Sequence, residues 1–302
     1  MVDTAAIDAA TLRLYERITG EPQNRALISA MEAPPECGRS GGFSADVCIV
    51  LVPGLFYKEF PHTGADGAVL KDVARSMGIP VLTIPVDESD GIESAADLII
   101  SDLSAASSSA TSIILVSLSI GSAEIRHALT KPGAIHAFRR VGAWISVSGL
   151  PLGTPTLESV LRNPVRRILI KAQSAVKGWK FDVVRDLLRH RPGAPFRLPS
   201  HLMFIQVVAF PLHRHLRERR CRRLRTQLAP LGPNDGFTLL EELAALPGYL
   251  YPVWGADHYL RGIDDLPARI GRLLSIVLPR AQAGLWHTAS MLFPSGSRTN
   301  AP

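Results

Sequence analysis

The chain has 302 residues, 46% of them apolar, which is enough to bury the core of one large α/β domain and does not call for two. Its three cysteines are irregularly spaced and Cys48 falls inside an apolar run, which excludes a C-x-x-C pair or a disulfide framework and predicts reduced thiols in a cytoplasmic setting. The net charge of +6 is unevenly spread: residues 162–225 hold 17 Lys/Arg against Asp182, Asp186 and Glu218, a surplus of 14 set against a deficit of 8 elsewhere. Such asymmetry points to an anionic partner: a phospholipid surface, a charged substrate or, as the weakest of the three, nucleic acid. The first residues lack the basic start and apolar core of a signal peptide, so none is expected. The longest near-apolar run, 202–212, is too short to cross a bilayer.

In chain order, residues 4–18 predict an amphipathic helix with Ile7, Ala10, Leu14 and Ile18 on one side. A Pro/Gly/Ser-rich connection over 33–44 leads to a β-branched strand, Val47-Cys-Ile-Val-Leu-Val52, which ends in Pro53-Gly54-Leu55-Phe56. A strand over 79–85, a helix over 94–105 and an apolar strand from Ser112 follow. That strand runs into Ser117-Leu118-Ser119-Ile120-Gly121 and a helix over 122–129, and a further strand spans 141–147. Residues 150–199 then interrupt the alternation. Pro164 is placed to start a helix with Val165, Ile168, Leu169, Ala172 and Val176 on one face, and a second helix is predicted over 181–188. The closing elements are a strand over 201–210, an Arg-rich helix over 213–228, a turn-rich loop Gly232-Pro-Asn-Asp-Gly236, a strand over 249–254 and a helix over 266–278. Strands alternating with helices imply right-handed crossovers and a mostly parallel sheet. The expected organisation is an N-terminal helix and connection over 1–45, a main domain over 46–278 with an insertion at about 150–199, and a tail with little fixed structure over 279–302.

Ser119 carries the chemical interest. A serine on a strained strand-to-helix turn has its hydroxyl exposed, and only small residues fit two positions either side; Ser117 and Gly121 satisfy this. A serine nucleophile also needs a base, an orienting acid and an oxyanion hole. His258 follows the strand that ends in Trp254, Asp235 lies in the turn-rich loop, and the Pro53-Gly54-Leu55 turn can aim a backbone N–H at a bound carbonyl. The order Ser119, Asp235, His258 differs from that of chymotrypsin and of subtilisin.

On these motifs the chain resembles the α/β-hydrolase superfamily, in particular its lipase- and esterase-like members, over residues 47–278. The resemblance implies an α/β-hydrolase fold: a mostly parallel central sheet with helices on both faces and a helical cap at 150–199. It implies that Ser119 is the nucleophile, His258 the general base, and Asp235 the acid that fixes its tautomer. The backbone N–H groups of Ile120 and Leu55 would form the oxyanion hole. Ser117 departs from the glycine usual at that position and keeps a small residue there. The activity implied is cleavage of a small-molecule or lipid carboxylic ester through an acyl-enzyme, with no cofactor and no metal. A non-catalytic ligand- or membrane-binding protein of the same fold, and an acyltransferase using the same triad, are the alternatives.

Each residue also has a plainer reading. Asp235, between Asn234 and Gly236, suits turn chemistry alone. Asp257 is the rival carboxylate, but neighbours on an extended segment point apart, so Asp257 is expected to brace its own loop. His127, His213 and His215 lie in helical or Arg-rich surroundings and are weaker candidates for the base. No H-x-x-x-H, H-E-x-x-H or cysteine cluster suggests a metal. Without interleaved aromatics, the 214–225 arginines read as a solvated helix face docked through Leu216, Leu224 and Leu228, and nucleic acid is not expected. For the helices of 150–199 the default is packing on the core with basic faces solvated; the other reading is a lid, or peripheral contact of 162–225 with an anionic membrane.

Overall fold

The strand β1 (Val47–Val52) divides its side chains between two cores. Ile49 and Leu51 join Ile114, Val116 and Ile205 on one side, whereas Val50 and Val52 join Ile99, Leu115 and Trp144 on the other. Burial on both faces is the mark of a parallel sheet sandwiched between helices. The computed structural model describes residues 4–33, 47–87, 91–177, 181–191 and 196–283. Among these, β1 is joined by β2 (Val81–Thr83), β3 (Ser112–Leu118), β4 (Val141–Val147), β5 (Met203–Phe210) and β6 (Tyr249–Trp254). They lie in the order β2-β1-β3-β4-β5-β6 and every pair is parallel. Pro252, which cannot donate to a ladder, sits in the edge strand β6, where its missing N–H is tolerated.

One face of the sheet is covered by α2 (Pro22–Glu32), α3 (Ala68–Ser76) and α12 (Leu266–Ala283), the other by α4 (Gly91–Ser109), α5 (Gly121–Ala128) and the short α6 (Ala134–Ala137). Helix α1 (Thr4–Gly20) buries Leu14 and Ile18 against Val208, Phe210 and Leu250, together with α11 (Leu240–Ala244). Helix α2, which starts with Pro22 at its first turn, is an element that the sequence reading passes over. The predicted 33–44 connection beyond Ala33 and the tail beyond Ala283 lie outside the described residues. Helix α12 continues through Pro279 for one more turn.

The predicted helix over 213–228 is divided. A 3₁₀ turn, His213–His215, is followed by extended backbone at Leu216 (φ −79°, ψ 107°), and α10 runs only from Arg219 to Leu228. Tertiary partners outcompete helical hydrogen bonding here. The His213 N–H donates to the Asp8 carboxylate at 3.0 Å, and Arg222 donates to the Leu216 carbonyl. The arginine run is likewise only partly a solvated face. Arg225 is 1% exposed and pairs with Asp8 at 2.8 Å, tying α10 to α1.

Residues 150–199 carry α7 (Pro155–Leu161), α8 (Pro164–Lys177) and α9 (Phe181–Leu188). Helix α8 is oriented against the default expectation. Its apolar face points to solvent, with Val165 63%, Ile168 66%, Leu169 63% and Val176 87% exposed, whereas Ser174 is buried and Arg166 half-buried on the inner side.

Candidate active site

The chain passes from β1 to β2 on one side and returns to β3 on the other, so the carboxyl ends of β1 and β3 border the switch point where open α/β sheets bind ligands. Two turns meet there. A side chain at Gly54 would come within 3.1 Å of the Ala65 Cβ and 3.5 Å of the Ser119 Cβ, and one at Gly121 within 2.9 Å of the Val52 and Pro53 carbonyls. Glycine at both positions lets the two loops touch. Ser119 itself has φ 49°, a left-handed conformation that costs a non-glycine residue about 1 kcal/mol or more. The surroundings enforce it: its N–H donates to the Val147 carbonyl at 3.1 Å, and its carbonyl accepts the Leu150 N–H at 2.8 Å.

Ser117 takes part in a chain of buried polar groups. The Trp144 Nε1–H donates to Ser117 Oγ at 2.8 Å, Ser117 Oγ is 2.8 Å from Ser122 Oγ, and that oxygen is 2.8 Å from Ser146 Oγ. The residue that departs from the usual elbow thus satisfies the indole of a fully buried tryptophan. Ser117→Ala is expected to lower unfolding free energy by about 1–3 kcal/mol in a urea titration, because it strands that N–H in the core. An unchanged midpoint would show that the hydroxyl chain contributes nothing.

His258 lies beyond β6, buried, with Nε2 3.3 Å from Ser119 Oγ and Nδ1 2.7 Å from Asp235 Oδ2. Asp235 unites the two readings available from sequence. Its Oδ1 accepts the N–H groups of Phe237 and Thr238 at 2.9 and 2.7 Å, as a turn residue does, while Oδ2 faces the imidazole. Burial pushes the Asp235 pKa up, but the charge and hydrogen bond of His258 and the two N–H donors outweigh it and hold the carboxyl below its ordinary value. Asp257 is engaged elsewhere: Oδ1 accepts the Tyr259 and Arg261 N–H groups, and Oδ2 binds the Arg261 guanidinium at 2.7 Å. Phe237, which sequence reasoning overlooked, packs on the His258 ring with centroids 4.4 Å apart and planes tilted by 30°, and further restricts its orientation.

Ser119 and His258 open onto a cavity of about 1070 Å³, just above the range of roughly 300–1,000 Å³ usual for small-molecule sites. Leu55 and Ile120 line it beside Ser119 and pack with Leu150. Its floor follows the sheet: Leu118, Val147, Val207 and Tyr251 form one row in register, Val116 and Ile145 lie deeper, and Leu273 and Leu274 of α12 face them.

A metagenomic carboxyl esterase superposes with TM-score 0.55 at 18% sequence identity, over 95% of each chain. The mature form of a Bacillus licheniformis lipase gives 0.53 at 18% identity, over 78% of this chain and 92% of that one. This is an α/β-hydrolase fold. No family model and no curated protein matches the sequence. An α/β-hydrolase fold by itself carries many activities and some members with none, so function must be argued from the side chains at the switch point. In this α/β-hydrolase fold the residues singled out as Ser119, Asp235 and His258 meet in one hydrogen-bonded line, with Leu55 and Ile120 beside the serine.

Proposed function

We propose that the protein is a serine hydrolase that cleaves carboxylic esters through an acyl-enzyme on Ser119. The observation that carries this reading is the unbroken line from Ser119 Oγ through His258 to Asp235 at the mouth of an apolar cavity. With Asp235 accepting the Nδ1–H, the His258 Nε2 lone pair faces the serine. The imidazole takes the hydroxyl proton as Ser119 Oγ attacks the ester carbonyl, and Asp235 stabilises the imidazolium that results. Nε2–H then protonates the departing alkoxide. Water, deprotonated by the same nitrogen, releases the acid. The 3.3 Å Oγ–Nε2 separation is at the long end for a hydrogen bond and is expected to shorten when substrate is bound. The Leu55 and Ile120 N–H groups are assigned to the oxyanion, each contributing on the order of 10²–10³ in rate. A fluorophosphonate should add its mass to the peptide containing Ser119 and leave Ser119→Ala protein unmodified. Equal labelling of the variant would overturn the nucleophile assignment.

A second reading, peripheral binding to an anionic membrane, is favoured by the outward apolar face of α8, which exposed Arg162, Arg167 and Lys171 flank. Among the described residues no helix is long and apolar enough to cross a membrane. Phosphatidylserine-containing vesicles should sediment the protein, and Ile168→Glu with Val176→Glu, at outward positions that do not line the cavity, should release it. Equal sedimentation of wild type and variant would count against this role for α8.

A further inference from the structure

The cavity has two chemically distinct walls. Along the sheet and α12 it is aliphatic, as Val116, Ile145, Val207 and Leu274 show. On the cap side, Arg166 of α8 faces in, and α10 contributes Arg220, Arg223 and Gln227, which share one helical face by their three- and four-residue spacing. Four arginines line the cavity and, among the described residues, no aspartate or glutamate does. Arg269, the fourth, is paired with Asp265. Arg166, Arg220 and Arg223 form no ion pair among the described residues. The carboxylates of Glu218 and Asp257 are both held by Arg261. In the same wall the Gln227 side-chain oxygen is buried without a hydrogen-bond partner. Guanidinium groups outside any ion pair, beside a largely apolar cavity, match a ligand that is apolar at one end and doubly or singly anionic at the other, and the planar fork of Arg suits phosphate oxygens.

We infer that the ester cleaved at Ser119 carries a phosphate group on its alcohol side, bound by Arg166, Arg220 and Arg223, with the acyl chain along the sheet under α12. This rests on the proposed hydrolase reading. In the reaction the Ser119 Oγ–acyl bond forms as the bond from acyl carbon to alcohol oxygen breaks. The phosphate leaves intact on the released alcohol, and water cleaves the acyl-enzyme. The solvated-surface alternative explains exposed Arg220 and Arg223 singly, but not their convergence with half-buried Arg166 on a cavity without an acid.

The test uses ether analogues that cannot be cleaved, 1-O-decylglycerol 3-phosphate and 1-O-decylglycerol, with binding measured by calorimetry on the full chain. The phosphate analogue should bind at least about tenfold tighter, the effect of one charge-assisted hydrogen bond. That preference should vanish in Arg166→Gln/Arg220→Gln/Arg223→Gln and persist in Arg162→Gln/Arg167→Gln/Arg219→Gln, which removes the same charge outside the cavity. The single variants Arg220→Gln and Arg223→Gln, at exposed positions, should each lower it part-way. S-decyl-coenzyme A as a third ligand distinguishes sources: tighter binding than the glycerophosphate assigns the phosphate to a nucleotide thioester, in which the acyl carbon–sulfur bond would break and a thiol leave, weaker binding to a lipid headgroup. Equal affinity for the phosphate and neutral analogues, or equal loss of preference in the two triple variants, overturns the inference. Because no ligand is cleaved, that failure is distinct from failure of Ser119 labelling, which would count against the hydrolase itself.

Discussion

Replacing Ser119 by alanine is expected to lower kcat on a short chromogenic ester by on the order of 10⁵–10⁶-fold, to a residual rate that oxyanion donors and substrate binding sustain alone. The argument is geometric. Ser119 is the hydroxyl that the positive-φ turn presents to His258, and its strained backbone is held by Val147 and Leu150, not by its own side chain. The variant should therefore fold and still admit substrate, separating chemistry from binding. Turnover by Ser119→Ala at the wild-type rate would remove the serine from the mechanism.

For Asp235→Asn the expected loss in kcat is about 10⁴-fold, with the fold retained. An asparagine oxygen in the place of Oδ1 can still accept the Phe237 and Thr238 N–H groups, so the turn survives. Its amide, however, presents a donor to His258 Nδ1. The imidazole then prefers the tautomer protonated at Nε2, and the lone pair aimed at Ser119 is lost. The same residue makes a prediction about stability. Because the folded-state pKa of Asp235 is depressed, its ionised form is the one that folding favours. Its stabilisation is complete above the ordinary carboxylate range and is lost as pH falls through the lowered value. Wild type should lose stability over that acid range, and Asp235→Asn should lose less of it, as read from urea midpoints at stepped pH. Wild-type turnover in Asp235→Asn would reduce Asp235 to turn chemistry.

Much of this arrangement is legible in the sequence. The strands over 47–52, 141–147 and 249–254 and the helices from Pro164 and over 181–188 stand where apolar periodicity and breakers put them. Elements with weaker local signals are less visible. Helix α2 has an ordinary composition after Pro22, α7 and α11 are short, and the helix expected over 213–228 gives way to contacts with Asp8, more than 200 positions away. Helix α8 shows the limit most directly. Its period and its apolar stripe are written in the residues, yet the stripe faces solvent, because the direction of a stripe depends on what the neighbouring elements leave uncovered.

Asp235 and Asp257 are more legible at the site. Both sit in loops with turn-forming neighbours, but adjacent side chains on an extended segment point apart, which sets Asp257 aside. The crossovers bring Asp235 to Nδ1 at 2.7 Å, while Asp257 is consumed by Arg261. The arginines of 162–225 divide in a comparable way, Arg225 into a buried pair with Asp8, and Arg166, Arg220 and Arg223 into the cavity wall. By itself the sequence determined the alternation of strands and helices, the serine turn and the chain order of Ser119, Asp235 and His258, since spacing and residue type act locally. Tertiary structure alone decided which way α8 faces and which cations reach the cavity, because those depend on contacts between segments far apart in the chain.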